Sequence, residues 1–368
     1  MPNGEPSPCP SNFKRLRNGP AFANDPAMPS LTSLSSSARL LGGLVAAAVD
    51  ADRPLMVNLV VTRRCNLSCG YCTEYDKVSP PVPLETLKQR IDQLAALRAV
   101  IITLTGGEPL LHPQIAEVVA YVRQRGMTPA MNSNAFLLSE PMIHKLNDAG
   151  LYALQVSVDG VTPNKVTKKT LKPLLPKLRM LAAHARFRVR INSVFGSTPP
   201  EEALEVARAA IALGFDAKCA LARNPDGTMV PLDARARAVY DEIANMDGRK
   251  LGLLGEDFQD KLLRDGEVEW KCRAGARFFH VCENGLVHLC GPRFGANTKP
   301  LADYGLDDIR RAFDTRKACA SSCPVAYAHM ASKVDRFRSQ RDDVDPATAP
   351  PPVISKRNDG RVFLRVAA

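Results

Sequence analysis

A chain of 368 residues, 45% hydrophobic and 24% charged, is long enough to bury a full core and reads as a soluble globular protein, not a membrane-embedded one. Its net charge of +11 sits largely in the two ends and in short runs such as KVTKKTLK. Without the interleaved aromatics of a single-strand binder, that charge reads as solvated surface and not as a nucleic-acid face.

Residues 1–37 are rich in Pro, Ser and Asn without apolar periodicity and are expected to be a disordered lead, with Met28 an alternative start. LLGGLVAAAV (40–49) is about half of the ~20 residues a membrane span needs. It predicts a lead-in helix within 38–54. The basic residues Lys14, Arg15 and Arg17 lie too far upstream of it for a secretory signal, which implies a cytoplasmic protein. There, ten cysteines in clusters mean metal or redox chemistry before disulfides.

From residue 55 the pattern alternates. LMVNLVV (55–61) predicts a buried strand, and Leu84, Leu87, Ile91 and Leu94 then recur at helical spacing. VIITLT (100–105) is followed by a helix carrying Ile115, Val118, Val119 and Val122, and MTPAMNSN (127–134) by a helix capped at Ser139 and closed by Gly150. LYALQVSVD (151–159), RFRVRINSVF (186–195) and FDAKCAL (215–221) each precede a further helix. The six strand–helix units predict a parallel sheet curved into a partial (β/α)6 barrel over 55–250. ARFFHVCENGLVHLC breaks this rhythm: Asn284-Gly285 predicts a hairpin in a small cysteine-bearing domain over 255–330. The chain from Asp335 reads as a tail (335–368), in which VFLRVAA is a possible last strand.

CNLSCGYC places Cys65, Cys69 and Cys72 on one loop directly after the first strand, at the carboxyl end where α/β sheets bind ligands. Structural zinc would need a nearby fourth ligand, and no Cys or His follows before His112. A cubane iron–sulfur cluster held by three thiolates keeps one iron open for another ligand. This C-x3-C-x2-C motif, with Tyr71 before the last cysteine, resembles the signature of radical S-adenosylmethionine (radical SAM) enzymes. TGGEP (105–109) is similar to that superfamily's GGEP segment.

The resemblance, covering about residues 55–250, implies a [4Fe–4S] cluster on Cys65, Cys69 and Cys72 whose open iron chelates S-adenosylmethionine. It implies cleavage to a 5′-deoxyadenosyl radical, contacts from Gly106, Gly107, Glu108 and Pro109 to the methionine end, and an external electron donor such as flavodoxin or ferredoxin. Strand alternation points Gln155, Ser157 and Asp159 into the lumen, with Arg186, Arg188, Arg190 and Asn192 on the next strand and Asn132 and Asn134 on the third. Asn132, Ser157, Arg190 and Asn192 are therefore candidates for the S-adenosylmethionine carboxylate and ribose, or for an acidic group on substrate; Lys168 and Lys169 compete for the carboxylate. No general base stands out: His112, His280 and His288 read as surface or hairpin residues, His112 being the best placed.

Cys272, Cys290, Cys319 and Cys323, with Gly285 between the first two, resemble the auxiliary-cluster extensions called SPASM and twitch domains, here in the shorter single-cluster form. That resemblance implies a second [4Fe–4S] cluster able to accept an electron from a substrate radical. Cys282 competes for a place in the set. A four-thiolate zinc site in a basic, non-catalytic nucleic-acid binder is the alternative class. The expected substrate is a small polar molecule or a peptide.

Overall fold

The computed structural model describes residues 31–72, 75–222, 229–246, 257–291, 295, 298–341, 344–345, 354–356 and 362–364. Helix α1 (Leu31–Val49) starts ahead of the predicted lead-in segment, because the serine-rich stretch before Leu40 is helical too. The disorder expected of residues 1–30 lies outside the described residues. No described helix is long and apolar enough to cross a membrane.

Strands β1 (Met56–Thr62), β2 (Ile101–Gly106), β3 (Thr128–Ser133), β4 (Ala153–Ser157), β5 (Arg188–Phe195) and β6 (Asp216–Leu221) pair in chain order, all parallel. Helices α2 (Leu84–Ala96), α3 (Ile115–Gln124), α4 (Glu140–Ala149), α5 (Leu171–His184) and α6 (Pro200–Ala212) connect them, and α7 (Ala234–Ala244) follows β6. The core lies between sheet and helices: Leu87, Ile91 and Leu94 of α2 and Val118 and Val122 of α3 join Val57, Leu59, Ile102 and Leu104. Burying these apolar faces removes the largest area from water and fixes which way each strand faces.

The opposite strand faces converge. Met56, Thr103, Asn132, Gln155, Arg190 and Asp216, one from each of the six strands, line a single cavity of about 210 Å³. In a flat sheet with strands about 4.8 Å apart the outer two would stand about 24 Å apart. The sheet is therefore curled into a partial (β/α)6 barrel.

Beyond the barrel come α8 (Asp257–Asp265), β7 (Phe278–Val281), β8 (Leu286–His288), β9 (Lys299–Pro300), α9 (Leu306–Asp314) and α10 (Ala326–Ser332). The hairpin predicted at Asn284-Gly285 joins β7 to β8, with Gly285 at φ +79°. It does not stand apart from the barrel: β7 pairs parallel with β1, extending the same sheet to nine strands. The free edge of β1 needs partners for its backbone groups, and Leu55 and Met56 both donate to the Arg277 carbonyl where β7 begins.

Three boundaries differ from the sequence reading. Arg186 lies outside β5, exposed and paired with Asp148 at 2.5 Å, so it is not a lumen residue. The chain stays packed through Arg341: Asp335 is fully buried against Arg277, and Gln340 donates to the Cys272 carbonyl at 3.3 Å. Val362–Leu364 pairs antiparallel with Ile354–Lys356 in a separate two-stranded sheet and does not add to the barrel.

Candidate active site

The cysteine loop leaves β1 and is closed by one aspartate. The Cys65 amide donates to the Asp76 carbonyl at 3.0 Å, and the Asp76 amide donates to Arg63 at 2.9 Å. The Asp76 carboxylate accepts from the amides of Val78 and Ser79 at 3.0 and 2.8 Å. Burial alone would raise this carboxyl; the bonds from Ser79 and Val78 and the Arg63 guanidinium outweigh it and hold the group below the ordinary carboxylate range. Lys77 Nζ ties the same loop by donating to the carbonyls of Cys65 and Leu67 at 2.9 and 2.7 Å.

Gly106 and Gly107 are where β2 touches this loop. A Cβ on Gly106, whose φ is +134°, would stand 2.0 Å from the Thr62 carbonyl oxygen, and one on Gly107 would stand 2.3 Å from those of Arg63 and Arg64. The amides of Gly107 and Glu108 instead donate to Thr62 and Arg64 at 2.8 and 2.9 Å. Glu108 is fully buried and accepts from the Ser133 hydroxyl and the Asn134 amide at 2.7 Å, and from the Leu110 amide at 3.0 Å. Burial raises its carboxyl against these three donors. Pro109, which has no amide hydrogen to leave unpaired, starts the short 3-10 turn that Glu108 caps. The segment thus clamps β2, β3 and the cysteine loop together.

A second clamp comes from the end of β4. Asp159 Oδ2 accepts from the hydroxyls of Tyr71 and Thr167, each at 2.6 Å, and Lys169 Nζ stands 3.7 Å away. The Lys169 ammonium also lies 4.9 Å from the centre of the Tyr71 ring, and the Gly70 amide donates to the Val166 carbonyl at 2.7 Å. Thr167 reaches Cys69 Sγ at 3.9 Å. Lys169 is therefore the cation beside the cysteine loop, while its neighbour Lys168 is exposed.

Arg190 sits elsewhere. It lies level with Gln155 and Asp216, 3.7 Å from the Asp216 carboxylate, in the amino-terminal half of the lumen. Ser157 and Asn192 are register partners one inward step nearer to the cysteine loop. Asn132 of β3 lines the cavity, whereas Asn134, one residue past the end of that strand, reaches the loop itself, donating to Asn66 Oδ1 at 2.8 Å and lying 3.8 Å from Cys65 Sγ. His112 is not a surface residue: Val82 carbonyl oxygen lies 2.8 Å from Nε2 and the Gln114 amide donates to Nδ1 at 3.2 Å, which occupies both ring nitrogens.

The other cysteines gather at the opposite end. Cys272 and Cys290 pack with Leu55, Met56, Val100 and Phe278, where β1 and β7 begin. Burial first, then the sulfurs of Cys272 and Cys290, push the Cys323 thiol well up, and Cys319 adds to this repulsion. Burial also raises the Cys272 thiol, with the Lys317 ammonium the strongest opposing influence, so Cys272 and Cys323 both favour the neutral thiol while no metal or cluster is bound. Cys282 stands at the turn end of the hairpin, directly after β7, while Cys290 stands at its open end. Burial raises its thiol too, but its charged neighbours are Glu283 and Arg90. Hairpin geometry separates Cys282 from the other four.

Residues 59–222 match the family described as the Radical SAM superfamily. This segment of the chain is a radical SAM domain. It is 33% identical to the PqqA peptide cyclase of Xanthomonas oryzae pv. oryzae over 157 residues, 39% of this chain and 41% of that one. It is 34% identical to the Fe-coproporphyrin III synthase of Methanosarcina barkeri over 113 residues, 30% of this chain and 28% of that one. The chain thus spans less than half the length of these curated relatives. Its fold is similar to that of SuiB of Streptococcus suis bound to the precursor peptide SuiA, with a TM-score of 0.57 at 14% identity over 92% of this chain and 86% of that one.

The radical SAM superfamily implies S-adenosylmethionine and a [4Fe–4S] cluster, and the radical SAM barrel of this chain brings Cys65, Cys69 and Cys72 onto one loop between the two clamps. Sequence reasoning missed Asp159 and Thr167 as the partners of Tyr71 and Cys69. Asp159 was legible only as the inward residue that ends its strand; Thr167, in a loop between basic residues, carried no signal.

Proposed function

We propose that this radical SAM enzyme binds S-adenosylmethionine at the cysteine loop, abstracts hydrogen from a peptide side chain in the lumen, and passes the second electron to an auxiliary [4Fe–4S] cluster. The observation that carries this reading is the placement of two cysteine sets at opposite ends of one polar lumen. Cys65, Cys69 and Cys72 would hold the first cluster, and Cys272, Cys290, Cys319 and Cys323 the second. When bound, the first supplies the electron that cleaves the sulfonium, and the second supplies a nearby acceptor. The donor set is all thiol, the ligand type of cysteine-held clusters, and among the described residues no three cysteine sulfurs lie within 4.8 Å of one another. A tetrahedral zinc site with Zn–S of about 2.3 Å brings its sulfurs to about 3.8 Å.

The protein's own groups divide the remaining work. Lys169, fixed by Asp159 and Tyr71, is placed to pair with the S-adenosylmethionine carboxylate. Ser157 and Asn192 face the space where ribose would lie. Arg190, Asp216 and Gln155, the last accepting from the Tyr327 hydroxyl at 3.0 Å, form the polar floor of the cavity and hold the substrate group that enters it. At about 210 Å³ that cavity is smaller than the roughly 300–1,000 Å³ usual for a drug-sized ligand. It suits one side chain of a peptide whose backbone stays outside, in keeping with the likeness to PqqA peptide cyclase. An external one-electron carrier such as flavodoxin or ferredoxin completes the cycle.

The test is 5′-deoxyadenosine release by the anaerobically reconstituted protein under dithionite, with and without peptides encoded beside its gene. Release that one such peptide stimulates, together with oxidation of that peptide, supports the reading. Release that only a small metabolite stimulates would overturn the peptide substrate, and no release at all would overturn the chemistry.

A further inference from the structure

An open groove of about 500 Å³ lies apart from the lumen. It lies between α8, the segment before Cys272, and α10 with the residues that follow it. Lys261, Lys271, Arg316, Lys333, Arg336 and Arg341 line it, against one acidic residue, Glu269. Its back wall is a stack of three rings: Phe258 lies 3.9 Å from His329, centre to centre, and Trp270 lies 3.7 Å from the other side of the same imidazole pair of faces. Trp270 Nε1 donates to the Ala320 carbonyl at 2.6 Å and the His329 ring nitrogen meets the Cys323 carbonyl at 2.7 Å. The wall is thereby pinned to the loop that carries Cys319 and Cys323.

We infer that this groove binds an acidic peptide segment, holding a part of the substrate remote from the residue that reacts. The inference rests on the peptide reading above. Six cations against one carboxylate give the groove a net positive lining even though Lys271 Nζ also donates to the Arg338 carbonyl at 2.8 Å, and such a patch steers and orients a carboxylate-rich chain. Nucleic acid fits less well. Single-strand binders stack successive bases on a series of open rings; here Phe258 and His329 are buried against each other, which leaves Phe337 as an isolated exposed ring among the described residues of this region. The rim instead offers an apolar anchor: Phe337, next to the groove residue Arg336, is 83% exposed, with the Arg336 guanidinium 4.4 Å from its ring centre.

The experiment measures fluorescence anisotropy of a labelled glutamate-rich decapeptide on the reconstituted full-length protein. A lysine-rich counterpart and a single-stranded oligothymidylate serve as competitors. The groove variant K261E/R316E/R336E is compared with K145E/K172E/R179E, which makes the same charge change at exposed sites on the barrel helices. The expected result is at least tenfold weaker peptide binding for the groove variant and less than a twofold change for the barrel variant. Both variants retain wild-type dithionite-driven S-adenosylmethionine cleavage, which shows that they are folded. Equal losses in the two variants would reduce the effect to net charge and overturn the groove. Oligothymidylate displacing the peptide at lower concentration than unlabelled peptide does would overturn the choice of occupant. If the groove variant binds the probe normally yet the enzyme oxidises a peptide, the groove fails and the peptide reading stands. Loss of probe binding without oxidation of any peptide gives the reverse.

Discussion

Asp76 and Lys169 show how single side chains set the geometry of the cysteine loop. Because the folded-state pKa of Asp76 lies below its unfolded value, its stabilising contribution is complete above the ordinary carboxylate range and is lost as pH falls through the folded value. Asp76→Asn should therefore cost about 1–3 kcal/mol at neutral pH. In urea unfolding the gap to wild type should narrow below about pH 4; a gap constant with pH would show that the carboxylate is not the anchor. Lys169→Ala should weaken S-adenosylmethionine binding about 10- to 100-fold, the loss of one charge-assisted contact. Lys168→Ala should change it less than twofold, and equal effects in the two would remove Lys169 from its assigned place. At this scale the sequence reading was uneven. The cysteines, Tyr71 and GGEP stand out by residue type and spacing. The choice between Lys168 and Lys169 depended on a loop conformation that no periodicity encodes. The structural role of His112 depended on a carbonyl thirty positions away in the chain.

At the level of elements, the glycine pair after β2 has a measurable purpose. Gly107→Ala would force a methyl group against the carbonyls of Arg63 and Arg64, where neither backbone segment can yield without moving the cysteine loop. The expected outcome is loss of most of the iron bound through Cys65, Cys69 and Cys72, with far-ultraviolet circular dichroism unchanged; retained iron would mean that the loop tolerates displacement. The six strands, their helices and the Asn284-Gly285 hairpin were legible because each follows from local periodicity or turn chemistry. That β7 joins β1 was not. A parallel pairing across more than 200 intervening residues leaves no local trace, and the short, fully buried β7 shows no alternation to betray which edge it covers. Arg186 illustrates the converse: alternation continued past the true strand end, where Asp148 supplied a solvent-exposed partner.

Over the whole molecule, one buried ion pair joins the chain's distant parts. Arg277 and Asp335, both 0% exposed in their side chains, bond at 2.7 Å, and the Arg277 guanidinium also donates to the carbonyls of Ala47, Asp50 and Arg53. It therefore ties α1 and the start of β1 to the carboxyl-terminal region that carries the second cysteine set. Arg277→Ala strands the Asp335 charge and should cost about 3–5 kcal/mol in denaturant unfolding; a loss below about 1 kcal/mol would place Asp335 in contact with water. The most direct measurement on the molecule as a whole is iron and acid-labile sulfide per chain, with 5′-deoxyadenosine release, in three proteins. These are the wild type, a Cys65/Cys69/Cys72→Ala variant and a Cys272/Cys290/Cys319/Cys323→Ala variant. Two cysteine-ligated four-iron clusters give about eight irons in the wild type and about four in each variant, with release lost when the first set is removed. About four irons in the wild type, none in the first variant and zinc in the second set would contradict the two-cluster mechanism.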